Sequence, residues 1–453
     1  MSRLLKSSGS VGVATLISRV LGFARESVYA GFMAVGSVAD AFLYAYSIPS
    51  LFRRLLGEGA LTAAFIPIFK EREKQAGDAA MWHSANAVIS ALVVLSGSLV
   101  LVVVLGLTGV LAAVPLGPHG ELIVRLLRLM FPYLLFVTVA AVFIGMLNAR
   151  GHFFVPALGA SMLNVVMIAA VFFIAPRFGT TLETQVFGLA VGVLLAGVVQ
   201  AGFQWPALRK EGFRYRWVNP LGDPTVAEVV RRMAPATLGA AAYQFNVVLT
   251  QSIAVTEAAN IVSAYNYAVR LMELPQGVIG ISLATYLLSE LSGLMAEKKL
   301  PEFRAALREG LLQLVFLNTL ATVLLLVLAK PMIRLLFEHR KFTPTDTDLC
   351  SQALWALAPG LLLFSVNNIF VRAFYALGDT RTPMRISVVC LGFNLVLSFF
   401  LIPALRQAGM GLANTTSALL NTARWFMRSG VSCRRSLTKA SGQSCYPSAV
   451  PPS

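Results

Sequence analysis

Residues 129–176 read LMFPYLLFVTVAAVFIGMLNARGHFFVPALGASMLNVVMIAAVFFIAP, and Arg150 is the single charged side chain in that stretch. A helix rises ~1.5 Å per residue, so about 20 apolar residues cross a hydrocarbon core of ~30 Å. Leu129 to Ala149 and Gly151 to Pro176 each meet that length, and Arg150-Gly-His152 marks the turn between them. The rest of the chain repeats the pattern. Charge-free runs recur at Ala79 to Gly120, Thr184 to Leu208, Met233 to Thr256, Gly310 to Ala329, Leu349 to Val371 and Ile386 to Leu405. Over all 453 residues, 57% are hydrophobic, 13% are charged and the mean hydropathy is +0.73. The charged share is about half that of an average soluble domain, which excludes a water-soluble globule and a disordered chain alike.

Four further spans are expected where apolar helices carry charge or are weak: about 8 to 35, 38 to 69, 258 to 291, and 409 to 427. The sequence thus predicts an all-α polytopic membrane protein with about 12 transmembrane helices. Sliding the chain by 227 residues places Pro132, Ala149, Gly151, Pro156 and Pro176 on Pro359, Ala376, Gly378, Pro383 and Pro403. A shift of 221 sets Tyr44 and Tyr46 on Tyr265 and Tyr267, and Gly59 on Gly280. Two six-helix lobes, 1–218 and 219–428, are expected from this parallel internal repeat, an arrangement that places a cavity between lobes. Residues 429–453, basic and rich in Ser and Pro, are expected to form an irregular tail.

The formal charge is +16, from 37 Lys and Arg against 21 Asp and Glu. Alternating the connections puts 18 basic residues on the side of the N-terminus, Lys70, Arg72, Arg150, Arg209 and Lys298 among them. The other side holds 8: Arg125, Arg128, Arg177, Lys330, Arg334, Arg340, Lys341 and Arg406. Cytoplasmic loops hold the excess of Lys and Arg, so the N-terminus is read as cytoplasmic. The bias accounts for the basic balance without nucleic acid. The stretch after Arg3 and Lys6 is too rich in Ser and Gly for a cleavable signal, so the first helix stays as an anchor. Cys350 and Cys390 fall in apolar runs and Cys433 and Cys445 in the tail, so no disulfide framework or metal site is read. His83, His119, His152 and His339 sit at separate helix ends, and no catalytic or cofactor site is expected.

Charge inside the membrane is the functional signal. The first helix carries Arg19, Arg25 and Glu26, the second Asp40, Arg53, Arg54 and Glu58, and the eighth Arg270 and Glu273. An arginine near mid-bilayer costs several kcal/mol unless it meets water, an acid or a ligand. Spacings of three and four residues put Arg19, Gly22 and Glu26 on one helix face. Arg54 with Glu58 and Arg270 with Glu273 have the spacing of structural ion pairs, which stays open beside a binding role. Guanidinium forks suit diphosphate and carboxylate recognition. Pro49 and Pro275 would bend helices beside these charges and expose carbonyls.

The segments SRVLGFARE (18–26), DAF (40–42), IPSLFRR (48–54), EGALTAAFIP (58–67), RLMELP (270–275) and FYALGDTRTP (374–383) closely resemble the MurJ (MviN) family. These are lipid II flippases of the bacterial inner membrane, within the multidrug/oligosaccharidyl-lipid/polysaccharide exporter superfamily. The resemblance implies transport of the undecaprenyl-diphosphate-linked peptidoglycan precursor from the cytoplasmic to the periplasmic leaflet. It implies that Arg25, Arg53 and Arg270 receive the headgroup, with Arg19, Glu26 and Asp40 in support. Lipid-linked precursor, membrane lipids and other cell-wall synthesis proteins are the implied partners. Val269 stands where the family often has an acid. The family also has two further helices after about residue 427, expected to form a groove for the lipid tail. The alternatives are a multidrug or lipid-linked polysaccharide exporter, or an inactive truncated remnant.

Both ends of the twelve-span unit are expected in the cytoplasm. Single cysteines at Gln75 and Glu257 should react with a membrane-impermeant maleimide from opposite sides in whole cells and inverted vesicles. Labelling of both from outside would overturn the orientation.

Overall fold

A computed structural model describes residues 3–56, 60–379 and 381–441, and within them there are helices and no strands. The helices are α1 (Arg3–Met33), α2 (Ser37–Leu56), α3 (Ala60–Ala113), α4 (Pro118–Met130), α5 (Tyr133–Ala149), α6 (Phe154–Ala169), α7 (Leu182–Lys210) and α8 (Pro224–Glu257). They continue as α9 (Ile261–Pro275), α10 (Ser282–Ala296), α11 (Leu300–Val327), α12 (Ala329–Phe337), α13 (Pro344–Leu357), α14 (Pro359–Ala376) and α15 (Arg381–Ser441).

Six of the described helical stretches are long and apolar enough to cross a membrane, and eight if each bent pair counts as one span. The other expected spans are α1, α2, α8 and the part of α15 beyond Arg406. α1 and α2 carry charge within their length, the charge-free centre of α8 holds Gln244, Asn246 and Gln251, and the last is rich in Asn and Thr. Two connections differ from the sequence expectation. The chain between the second and third spans stays helical, with Gly77 alone leaving helical geometry at φ 76°. Likewise α15 runs through a break at Arg406 (φ 51°), and its backbone stays helical through residues 429–441. Residues 442–453 of the expected tail, with Gly59 and Glu58, lie outside the described residues.

The repeat has a physical counterpart in backbone geometry. Pro132 sits at the 40° bend between α4 and α5, and Pro359 at the 42° bend between α13 and α14. Beyond each bend the helix ends in the same way. Gly151 and Gly378 take φ of 86° and 75°, the left-handed conformation that glycine tolerates. His152 N–H donates to Leu147 O at 2.8 Å, and Asp379 N–H to Phe374 O at 2.9 Å, again 227 residues apart.

Packing groups residues 1–270 with 330–352, and 271–329 with 353–453. Within the first group, α7 approaches its neighbours through small residues: a Cβ at Gly188 would lie 2.6 Å from Ala175 Cα, and one at Gly197 would lie 2.8 Å from Tyr133. Small residues allow such close helix contact in membranes, where apolar burial gives little drive between helices. In the second group, Phe370, Phe374 and the fully buried Trp425 stack α14 on α15.

Polar ties secure the helix ends of the first group. Arg150, at the end of α5, reaches Glu73 of α3 (2.5 Å), Glu211 after α7 (2.8 Å) and Asp78 (3.7 Å). His152 adds a 2.7 Å contact to Glu211. Bonds from His152 and Arg150 hold the Glu211 carboxyl below its ordinary value, and bonds and charge from Lys70 and Arg150 do the same for Glu73. Depressed carboxyls stabilise the fold above their unfolded value near 4.5, and that contribution is lost as pH falls through the lower native values. Arg150→Ala should cost about 1–2 kcal/mol at pH 7, since it strands partly buried carboxylates. Thermal midpoints in detergent should differ by a few degrees at neutral pH and converge under acid, and an acid-independent difference would contradict the network.

Candidate functional site

The charged residues of the membrane interior separate along α1, α2 and α9. At the centre lies Glu26, 4% exposed. Its Oε1 contacts Arg25 Nη2 and lies 3.3 Å from Arg270 Nε. The Arg270 Nε contact is an ion pair that does not have hydrogen-bond geometry. The Arg25 guanidinium lies over the Tyr29 ring, 5.5 Å from its centroid. Two guanidinium groups therefore share one carboxylate. Arg25 is held tightly, with a side chain 12% exposed, whereas Arg270 is 36% exposed and presents part of its fork outward.

Asp40 stands apart from this cluster and is fully buried at the start of α2. Its carboxylate accepts from Ser263 N–H at 2.7 Å and Val262 N–H at 3.4 Å. Those are first-turn amides of α9, which have no partner within their own helix. A carboxylate there also meets the positive end of the helix dipole. Asp40 thus ties α2 to α9, the helix that carries Arg270. Tyr44 Oη and Ser252 Oγ (2.6 Å), and Tyr267 O–H donating to Ala34 O (3.3 Å), close the same end.

Arg53 lies half-buried 13 residues beyond Asp40, about 20 Å along α2. Its neighbour Arg54 is exposed and donates to Gln244 Oε1 at 3.2 Å. Arg19 is exposed on α1 about 9 Å before Arg25. Glu58 is outside the described residues, and Glu273 is exposed farther along α9. Hence Arg25, Glu26 and Arg270 are brought together, while Arg19, Asp40 and Arg53 occupy different levels.

One participant was not selected from sequence, the segment from α12 into α13. Ser27 O–H donates to Leu336 O (2.8 Å), and Lys341 N–H to Gly31 O (3.3 Å). Phe337 lies 6.0 Å from Phe23 and 5.4 Å from Tyr267, while Phe342 lies 5.8 Å from Tyr267. Gly31 is required by this seating: a Cβ there would come within 2.7 Å of the His339 ring. The signal in sequence was weak, because Phe and His at a helix end also fit an ordinary interfacial loop. Among the described residues no group of three or more His, Cys, Asp or Glu could hold a metal ion.

A fold that is helical among the described residues and has six to eight apolar spans defines a polytopic membrane protein. A sequence profile of the lipid II flippase MurJ family matches residues 29–445. A probable lipid II flippase MurJ from Vibrio cholerae is 35% identical over 440 residues, covering 93% of this chain and 82% of that protein. A lipid II flippase MurJ from Burkholderia cenocepacia is 34% identical over 427 residues, covering 91% and 81%. The chain belongs to the lipid II flippase MurJ family. Among solved structures, a lipid II flippase MurJ in an inward closed conformation superposes with a TM-score of 0.79 at 22% identity, covering 93% of this chain and 87% of that one. An inward-facing multidrug resistance transporter of the MATE family shares the fold, with a TM-score of 0.70 at 17% identity, covering 91% and 94%.

Asp40→Ala should leave the α9 amides without acceptors, costing about 1–3 kcal/mol. Asp40→Asn keeps an acceptor and should cost less. Thermal midpoints of the purified variants check this order, and equal midpoints for Ala and wild type would show that the cap carries no load.

Proposed function

We propose that this chain transports lipid II across the bacterial inner membrane, from the cytoplasmic to the periplasmic leaflet, with its N-terminus in the cytoplasm. The observation that carries the reading is the pair of guanidinium groups, Arg25 and Arg270, sharing the single buried carboxylate of Glu26. The Arg270 side chain, held by Glu26 yet 36% exposed, offers its fork to a diphosphate. Glu26 holds the forks in position before the ligand arrives, so little reorganisation is needed. A multidrug exporter of cationic amphiphiles would meet repulsion at this pair, which favours the anionic substrate.

In the proposed orientation Arg53 and Arg54 stand at the cytoplasmic end of α2, Arg19 midway along α1, and Arg25 with Arg270 deeper. A diphosphate can pass from one guanidinium level to the next without facing hydrocarbon unpaired. Lobes of 1–218 and 219–428, moving against each other around this route, would supply alternating access. The transported molecule leaves with all its bonds intact, so the reading is transport without catalysis. Other cell-wall synthesis proteins are the natural neighbours of such a step.

The test is lipid II binding and transfer by the purified chain in vesicles. Arg25→Ala, Arg53→Ala and Arg270→Ala should each lower lipid II binding by at least about tenfold, the worth of one charge-assisted hydrogen bond. Lysine at these positions should restore little, because a point charge cannot make a bidentate contact. Full binding by all three lysine variants would replace fork recognition with general positive potential. Binding without transfer by the wild-type chain would favour the inactive remnant.

A further inference from the structure

A second basic site lies away from the transport route. Where α3, α4 and α7 meet there is a groove of about 670 Å³, lined by Arg125, Arg128, Glu121 and Thr108 among apolar walls that include Val104 and Phe187. Arg125 is paired with Glu121 one helical turn before it. Arg128 is half-buried and has no hydrogen bond or ion pair among the described residues. The groove is thus neutral apart from one unpaired guanidinium.

Its depth identifies what can neutralise that charge. α4 and α5 together run from Pro118 to Ala149, about 48 Å of helix, against a hydrocarbon core of ~30 Å. The charge-free run Leu129 to Ala149 alone spans about 30 Å, so the residues before Leu129 lie at headgroup level. Arg125 and Arg128 sit about 10 and 15 Å from the Pro118 end, and helical side chains lean toward the N-terminus. The long stem lets each guanidinium reach the glycerol and phosphate layer while its methylenes stay among the apolar walls. At that level the anion available at high local concentration is a lipid phosphodiester.

We infer that this groove is a binding site for one anionic glycerophospholipid of the phosphatidylglycerol class, its phosphate on Arg128 and its acyl chains along the apolar wall. The net charge of the groove selects against a zwitterionic headgroup, whose ammonium would add a second cation. The Thr108 hydroxyl donates to Val104 O at 2.7 Å, so it offers only lone pairs to a ligand. Glu121 likewise accepts, and both fit the hydroxyl donors of a glycerol headgroup. The site would anchor the outer end of α4 to the leaflet while the bundle moves. It is independent of the substrate reading, since none of its residues belongs to the Arg25, Glu26 and Arg270 cluster.

The experiment is native mass spectrometry of the purified full chain from mixed phosphatidylglycerol and phosphatidylcholine bilayers, counting retained lipids. Wild type should retain one phosphatidylglycerol in preference to phosphatidylcholine, and Arg128→Gln should lower that occupancy at least about tenfold. Arg128→Lys should keep part of it, and Arg177→Gln, outside the groove, should change nothing. Thermal midpoints in pure phosphatidylcholine show whether the glutamine variant folds, and the lysine variant carries the test if it does not. Equal retention of the two lipids by wild type, or undiminished phosphatidylglycerol on Arg128→Gln, would overturn the site. A parallel loss of lipid II binding would also overturn it, by making the groove part of the transport route.

Discussion

A carboxylate 4% exposed to solvent lies between two guanidinium groups in the interior of a membrane-spanning helix bundle. Such a group persists away from water only if charge and hydrogen bonds around it replace hydration. Glu26 alone would be costly there, and so would Arg25 or Arg270 alone. Together they offset one another's loss of hydration. The rest of the first packing group can be understood as what holds this triad in place. Asp40 fixes the start of α9 and therefore the position of Arg270, and Tyr29 lies under Arg25. The aromatic residues around Tyr267 close the end of α1 beside it.

The helix-end network around Arg150 performs a complementary task on other helices of the same group. It joins α3, α5 and α7 by charge where they emerge into water, while in the hydrocarbon these helices are joined by small residues and shape. The division follows the medium. Ion pairs are inexpensive at an interface and costly in lipid, so the buried charges are engaged, Asp40 by helix amides and Glu26 by two guanidinium groups.

Much of this was legible in the residues. Charge-free runs located the apolar helices, and the 227-residue repeat paired Pro132 with Pro359 and Gly151 with Gly378, positions at which the structure has matching bends and left-handed glycines. Period and punctuation are local properties, and they survive folding. Pairing is not local. Spacing allowed Arg270 to be considered with Glu273, and only the packing of α1 beside α9 brings it to Glu26. Asp40 entered the site as a charge in a membrane helix, yet its carboxylate is engaged by amides of a helix 222 residues away, which no pattern in its own helix could reveal. The α12 to α13 segment escaped for the same reason: Phe337 and His339 gain meaning from Gly31, and nothing near them in sequence points to α1.

The central claim is that the guanidinium forks of Arg25 and Arg270, positioned by Glu26, select a diphosphate. The most direct measurement is the ratio of affinities for the lipid-linked diphosphate and for the matching prenyl monophosphate, taken on wild type and on Glu26→Gln. The account predicts a preference for the diphosphate in wild type that narrows in Glu26→Gln, where the forks keep their charge but lose the carboxylate that orients them. Equal affinity of wild type for the two lipids would contradict it, since the interior arginines would then supply positive potential without recognising the headgroup.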